Sequence, residues 1–152
     1  NSRRYLYCQP WILPQQDMES SIHKVKSVMS PISFQTIDWS SIPVTEHAGQ
    51  TGIARWKTIQ NHTFRMRVIE YSAGYLADHW CAKGHIVFCL EGEMTSELSD
   101  GSHYSLSAGM SYLVSDNMSL HRSYSKNGVR LLIIDGGFLK YDKSAYHNPW
   151  RM

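Results

Sequence analysis

Four side chains in this sequence have the chemistry to share a metal ion. His79 and Cys81 lie two apart in Asp78-His79-Trp80-Cys81, and His85 follows directly after Gly84. On a β-strand, residues two apart point to the same face. The spacing therefore predicts an imidazole and a thiol side by side, with His85 at the same parity. His121 lies far along the chain, beside a second strand-like run. Two imidazoles, a thiol and a distant third imidazole form an N/S ligand set. The plainer alternative is a metal-free pocket. There the histidines hydrogen-bond within the core and the cysteine packs as a small hydrophobe. If Cys81 does not bind, the three histidines leave open positions for water or substrate, and Cys81 becomes a pocket thiol beside imidazoles.

The elements that must position these groups read as short strands broken by turns. Phe34 to Trp39 alternates, and Ile53 to Ile59 is β-branched and aromatic. Asn61-His62 then reads as a hairpin turn. Phe64, Met66 and Val68 alternate with Arg65, Arg67 and Ile69, so one face is expected to be wetter, with the two arginines solvated rather than binding an anionic ligand. Ser72-Ala73-Gly74 breaks that strand. His85 to Leu90 is a dense apolar strand, and Glu91-Gly92 is expected to turn it into Met94 to Leu98. Ser99-Asp100-Gly101 and Lys126-Asn127-Gly128 are hairpin signals. Between them come His103 to Leu106, Met110 to Val114 and Leu120 to Ser125, and Val129 to Ile134 closes the series. Sustained helical periodicity is absent except over Met18 to Val28. Many short strands at turn spacing predict an all-β sandwich or small barrel.

At 152 residues the chain is long enough for one domain with a real core. The formal charge is +2, carried by residues 1–30, and the remainder is balanced. No basic stripe forms, which argues against a nucleic-acid partner. No apolar run approaches membrane-span length. The three cysteines, Cys8, Cys81 and Cys89, show no disulfide framework, which fits free thiols in a reducing compartment. Trp11-Ile12-Leu13 is too short for a signal peptide and Pro14 ends it, so the cytoplasm is the expected location. Met18 and Met29 are candidate natural starts. Residues 1–30 are therefore set apart as an N-terminal leader or arm, native or not, and the folded domain is expected over 31–152.

The run Gly74 to Gly92, followed by Gly109 to His121, resembles the paired motifs of the cupin superfamily. More narrowly, Tyr71 to Cys81 followed by Lys83-Gly84-His85 is similar to small single-domain cupins named for an Asp/His/Cys/Trp signature. The likeness covers about residues 33–140. It implies a jelly-roll barrel (a double-stranded β-helix), commonly dimeric, but no particular reaction. Against the usual cupin metal set, Cys81 stands where a histidine is common and His85 where a glutamate is common. A carboxylate is lost and a thiolate gained, which moves preference toward Zn, Ni, Cu or Fe(II).

Further candidates for lining a ligand pocket are Tyr71 and Tyr112, which offer hydroxyls, and Met66 and Met110, from a wider set including Met94 and Met118. Methionine commonly fills irregular core gaps instead. Glu70 and the tyrosines are the candidate general bases. Asp78 and Trp80 are expected to point away from the site. The expected function is a small cupin that binds a divalent transition metal, a small-molecule ligand, or both, as a homodimer. The open alternatives are a metal-dependent oxygenase, isomerase or lyase and a metal-free binding or thiol-sensing module.

Overall fold

The computed structural model describes residues 31–141. Residues 1–30, with the Met18 to Val28 helix expectation, Cys8 and His23, lie outside the described residues, as does His147. Among the described residues no helix is long and apolar enough to cross a membrane.

Among the described residues nine strands follow one another: β1 (Val44–Ala48), β2 (Ile53–Gln60), β3 (Phe64–Tyr71), β4 (Tyr75–Leu76), β5 (His85–Leu98), β6 (His103–Ser107), β7 (Ser111–Val114), β8 (His121–Ser125) and β9 (Val129–Gly136). A short 3-10 turn, Gly137–Leu139, follows. Every strand pairing is antiparallel. One sheet runs β1-β2-β3-β9-β5-β7, and the other joins β6, β5, β8 and β4. The Thr51↔Leu76 bridge ties the far edge of the second sheet back to the first. The result is a curled all-β jelly-roll barrel, as expected.

β5 belongs to both sheets because of one extra residue. Its pairing with β9 slips between Cys89 and Glu91, leaving Leu90 as a bulge. Gly92 takes a positive φ of 77° there. A Cβ on Gly92 would lie 2.6 Å from the Gly128 carbonyl oxygen, so the crossing admits only glycine. The Cys89 thiol satisfies the bent backbone, donating toward the carbonyls of Glu91 (3.7 Å) and Gly92 (3.5 Å). Glu91-Gly92 is thus a bulge within a strand, where the sequence suggested a turn. The bulge also switches the inward phase: His85, Val87 and Cys89 face in before it, Met94 and Ser96 after it.

The core joins both sheets through Ala54, Ile69, Tyr75, Val87, Cys89, Met94, Leu106, Val129, Leu131 and Ile133. Register fixes what lies on the other side of the first sheet. Ile59, Met66, Ile134, Ile86 and Leu113 form one cross-strand row. Lys57, Val68, Leu132, Phe88 and Ser111 form the next. Beyond them Glu46, Arg55, Glu70, Arg130 and Glu91 alternate in sign. The outer face is therefore apolar over two rows, with Leu113 72% exposed. The segment before β1 touches this face through Lys57 Nζ, which donates to the Trp39 carbonyl at 2.7 Å. Phe34 to Trp39 forms no strand and Phe34 stands in solvent, whereas β1 carries no alternating apolar signal because all five residues are exposed.

Candidate metal centre

Cys81 and His85, four residues apart, and the distant His121 converge inside the barrel. Cys81 and His121 form an isolated bridge. Cys81 N–H donates to the His121 carbonyl at 2.7 Å, and His121 N–H returns to the Cys81 carbonyl at 3.1 Å. Residues so paired carry their side chains on one face. His85 opens β5 on the same inward phase as Val87. The loop between Cys81 and His85 is pinned to the turn after β7. The Asp116 carboxylate accepts from Gly84 N–H at 2.6 Å, and Asn117 N–H donates to the Ala82 carbonyl at 2.8 Å. A Cβ on Gly84 would meet Asp116 N at 2.7 Å and the Val114 carbonyl oxygen at 2.8 Å, so this approach needs glycine.

All three side chains are buried, and one donor atom from each lies within 4.8 Å of the others. Cys81 Sγ and His85 Nε2 are 3.4 Å apart. Two ligands of a tetrahedral zinc ion, one sulfur and one nitrogen, sit about 3.5 Å apart, so the spacing fits a shared metal. It equally serves an S–H···N hydrogen bond in the metal-free protein. His121 Nδ1 lies 3.0 Å from the Ser119 carbonyl. A carbonyl only accepts, which assigns the proton to Nδ1 and makes Nε2 the lone-pair nitrogen. The rings of His85 and His121 meet edge-on at 5.4 Å. The donor set and its spacing therefore suit a borderline-soft divalent ion.

Behind His85 stands a buried charged cluster. Its Nδ1 is 3.5 Å from Asp135 Oδ2. Arg65 grips both oxygens of Asp135, Nε to Oδ1 at 3.0 Å and Nη2 to Oδ2 at 3.1 Å. Arg67 Nη2 donates to Oδ2 at 2.5 Å. Burial pushes the Asp135 carboxyl up, but His85, Arg67 and Arg65 together hold it well below the usual carboxylate range. The Arg67 guanidinium also lies over the Trp56 ring, 4.7 Å from its centroid.

No protein-family model matches the sequence, and no curated protein matches it. Solved structures do match. An RmlC-like cupin from Shewanella frigidimarina superposes with a TM-score of 0.58 at 18% identity, over 68% of this chain and 91% of that one. An ectoine synthase from P. lautus gives 0.55 at 16%, over 68% and 78%. A sugar phosphate isomerase of the cupin superfamily from Silicibacter pomeroyi gives 0.54 at 12%, over 67% and 75%. The fold is a cupin fold.

Within this cupin barrel the remaining candidates divide. The strand parity that joined His79 to Cys81 does not apply, because the chain bends at Asp78-His79. His79 keeps a quarter of its side chain exposed, and its Nδ1 lies 2.6 Å from the exposed Asp78 carboxylate. It is not in the cluster formed by the other three. Trp80 packs under the Arg122 guanidinium, 4.8 Å from its ring centroid. Tyr112 does reach the site, with its ring 6.1 Å from that of His121. Burial raises its phenol well above the ordinary value, with Tyr71 and Cys81 adding and the Ser96 hydroxyl and Arg67 opposing. Tyr112 is thus a neutral hydrogen-bonding group at physiological pH. Tyr71 stacks on Tyr75 at 4.0 Å and packs against the core.

The two methionines offered as pocket lining are corrected. Met66 takes the outward phase of β3, paired with Ile59 and Ile134. Met110 lies on the β6–β7 connection, 48% exposed, with its sulfur 3.2 Å from the Ser107 hydroxyl. Of the four methionines considered, Met94 is the fully buried one. Glu70 is corrected as a candidate base, because it faces out and its carboxylate lies 3.6 Å from Arg130. Arg65 and Arg67, expected on a solvated face, instead point inward onto Asp135, which was missed. Their signal was weak: three charged residues at inward positions of strands whose outward positions are apolar.

Proposed function

We propose that this cupin-fold protein binds a divalent transition metal through Cys81, His85 and His121. The observation that carries the reading is the convergence of three buried donors within 4.8 Å, two from one loop and strand start and the third, His121, from β8. One thiolate and two imidazoles suit Zn, Ni, Cu or Fe(II) better than hard, oxygen-seeking ions. When bound, such an ion would polarise a ligand oxygen or activate water. Three protein ligands leave a position for a small molecule. Tyr112 would then act as a neutral donor beside it. This count favours an open, ligand-binding centre over a closed structural one, and a metal-dependent enzyme is the second reading it supports. Metal analysis of untagged protein beside a Cys81→Ser/His121→Ala variant tests it. One near-stoichiometric transition metal, lost in the variant and kept in His79→Ala, is expected. Protein that stays metal-free after reconstitution with Zn, Ni, Mn and Fe(II) overturns it.

The same chain is inferred to pair with a second copy through the outer face of the first sheet. The support is its two apolar rows, bounded by charges that alternate in sign from Glu46 to Glu91. The cation within those rows, Lys57, donates to the Trp39 carbonyl. Glu46, Arg55, Glu70, Arg130, Glu91 and Lys57 together carry no net charge, so a strongly charged partner finds no complement there and the apolar rows suit a second copy of the same face. Light scattering should give twice the chain mass at micromolar concentration, and a Phe88→Glu/Leu113→Glu variant half of that. A wild-type protein of single-chain mass refutes the pairing.

A further inference from the structure

We propose that Asp135, clamped by Arg65 and Arg67, is the positioning residue of this centre, fixing His85 with its proton on Nδ1 and its Nε2 toward Cys81. The inference rests on the metal reading above and adds the device that prepares one ligand for it.

Register alone brings the parts together. Arg65 pairs directly with Asp135 across β3 and β9. Extending the Ile86↔Ile134 pairing by one residue sets His85 opposite Asp135 across β9 and β5. Arg65, Asp135 and His85 thus occupy one inward row, with Arg67 in the neighbouring row. In that row Asp135 and His85 are 6% and 8% exposed at their side chains. His85 Nδ1 makes no well-formed hydrogen bond with a described residue, and the acceptor it faces is Asp135 Oδ2 at 3.5 Å, the outer limit for such a bond. Its other nitrogen faces the thiol at 3.4 Å. The ring is therefore held between a carboxylate on one side and a metal-binding sulfur on the other. A histidine that ligates a metal through one nitrogen commonly gives its other N–H to a carboxylate, which sets both tautomer and ring orientation.

Energetics point the same way. Placing two guanidinium groups and a carboxylate inside a barrel is a poor route to stability, since well-packed apolar side chains there do as well or better. The forked Arg65 contact fixes the plane of the carboxylate, and Arg67 holds Oδ2 from a second direction. A carboxylate so braced cannot swing toward solvent. On its other side lies His85, with Nδ1 3.5 Å from Oδ2.

The test uses full-length protein and Co²⁺ as the probe. Thiolate-to-cobalt charge-transfer absorption reports binding at Cys81, and ¹⁵N NMR of the metal-free protein reports the His85 tautomer. Wild type should show the band and a His85 protonated at Nδ1. Asp135→Asn should lose about 10- to 100-fold in Co²⁺ affinity and lose the fixed tautomer. If wild type gives no band, the metal reading fails, and the tautomer still decides the role of Asp135. If wild type binds while Asp135→Asn binds within twofold and keeps the tautomer, the inference is overturned and the metal reading stands. Should Asp135→Asn not fold, Arg65→Lys keeps the charge and removes the fork. A several-fold weaker Co²⁺ affinity is then expected, and an unchanged affinity with an unchanged tautomer overturns the proposal.

Discussion

The two faces of the β3-β9-β5 layer differ in a way opposite to the usual pattern. Its outer side carries Met66, Val68, Ile86, Phe88, Leu132 and Ile134, while one inward row carries Arg65, Asp135 and His85. Apolar-in and polar-out is the ordinary arrangement for a half-solvated antiparallel sheet. Here the inner face splits. Toward the β4 end it is a plain core of Ile69, Leu131 and Cys89, and toward the His85 end it becomes a charged cluster. The outer face, left apolar, is what a second subunit can use. The difference teaches that strand alternation gives the phase of a strand but not which phase faces inward.

The comparison breaks most sharply at Asp135. Asp135→Ala strips a buried carboxylate from two guanidinium groups and should cost about 3–5 kcal/mol of unfolding free energy. Denaturant unfolding measures it, and a loss below about 1 kcal/mol would mean that water reaches the cluster freely. Next come two neighbours on opposite faces. Leu131 is fully buried and Leu132 lies on the outer face of the same strand. Leu131→Ala should cost about 2–5 kcal/mol through the cavity it leaves, and Leu132→Ala about 1 kcal/mol. Equal losses would show that the outer face is as fully packed as the core.

These contrasts also mark what the sequence revealed. The turns were legible because their residues carry local chemistry. Asn61 Oδ1 accepts from Thr63 and Phe64 N–H, and Gly101, in the hairpin between β5 and β6, adopts a φ of 88°. Cys81, His85 and His121 were legible as donors by type. The inward arginines were not, because Phe64-Arg65-Met66-Arg67 alternates equally well in either sense and only the partner Asp135, 70 residues away from Arg65, decides it. The parity argument for His79 failed for a local reason, since a bend at 78–79 breaks the two-residue period. The β5 bulge was hidden because Glu91-Gly92 has turn composition, and only pairing with β9 on both sides of it reveals a continuous strand.

The smallest effect belongs to the charged row that borders the outer face. Glu70 and Arg130 approach at 3.6 Å with about half of each side chain exposed. Water and salt screen such a pair, and ordering two long side chains offsets much of the attraction. Glu70→Gln should therefore change unfolding free energy by only about 0–1 kcal/mol, although the pair has the same charges as Arg67 and Asp135. Its informative effect is on association. The row from Glu46 to Glu91 alternates in sign, so removing its middle carboxylate leaves no opposite charge between Arg55 and Arg130. If this row rims the contact between two copies, the dimer should weaken slightly at low salt and recover as salt is added. A dimer indifferent to both the substitution and the salt would place the charged row outside the contact and leave the two apolar rows as its full extent.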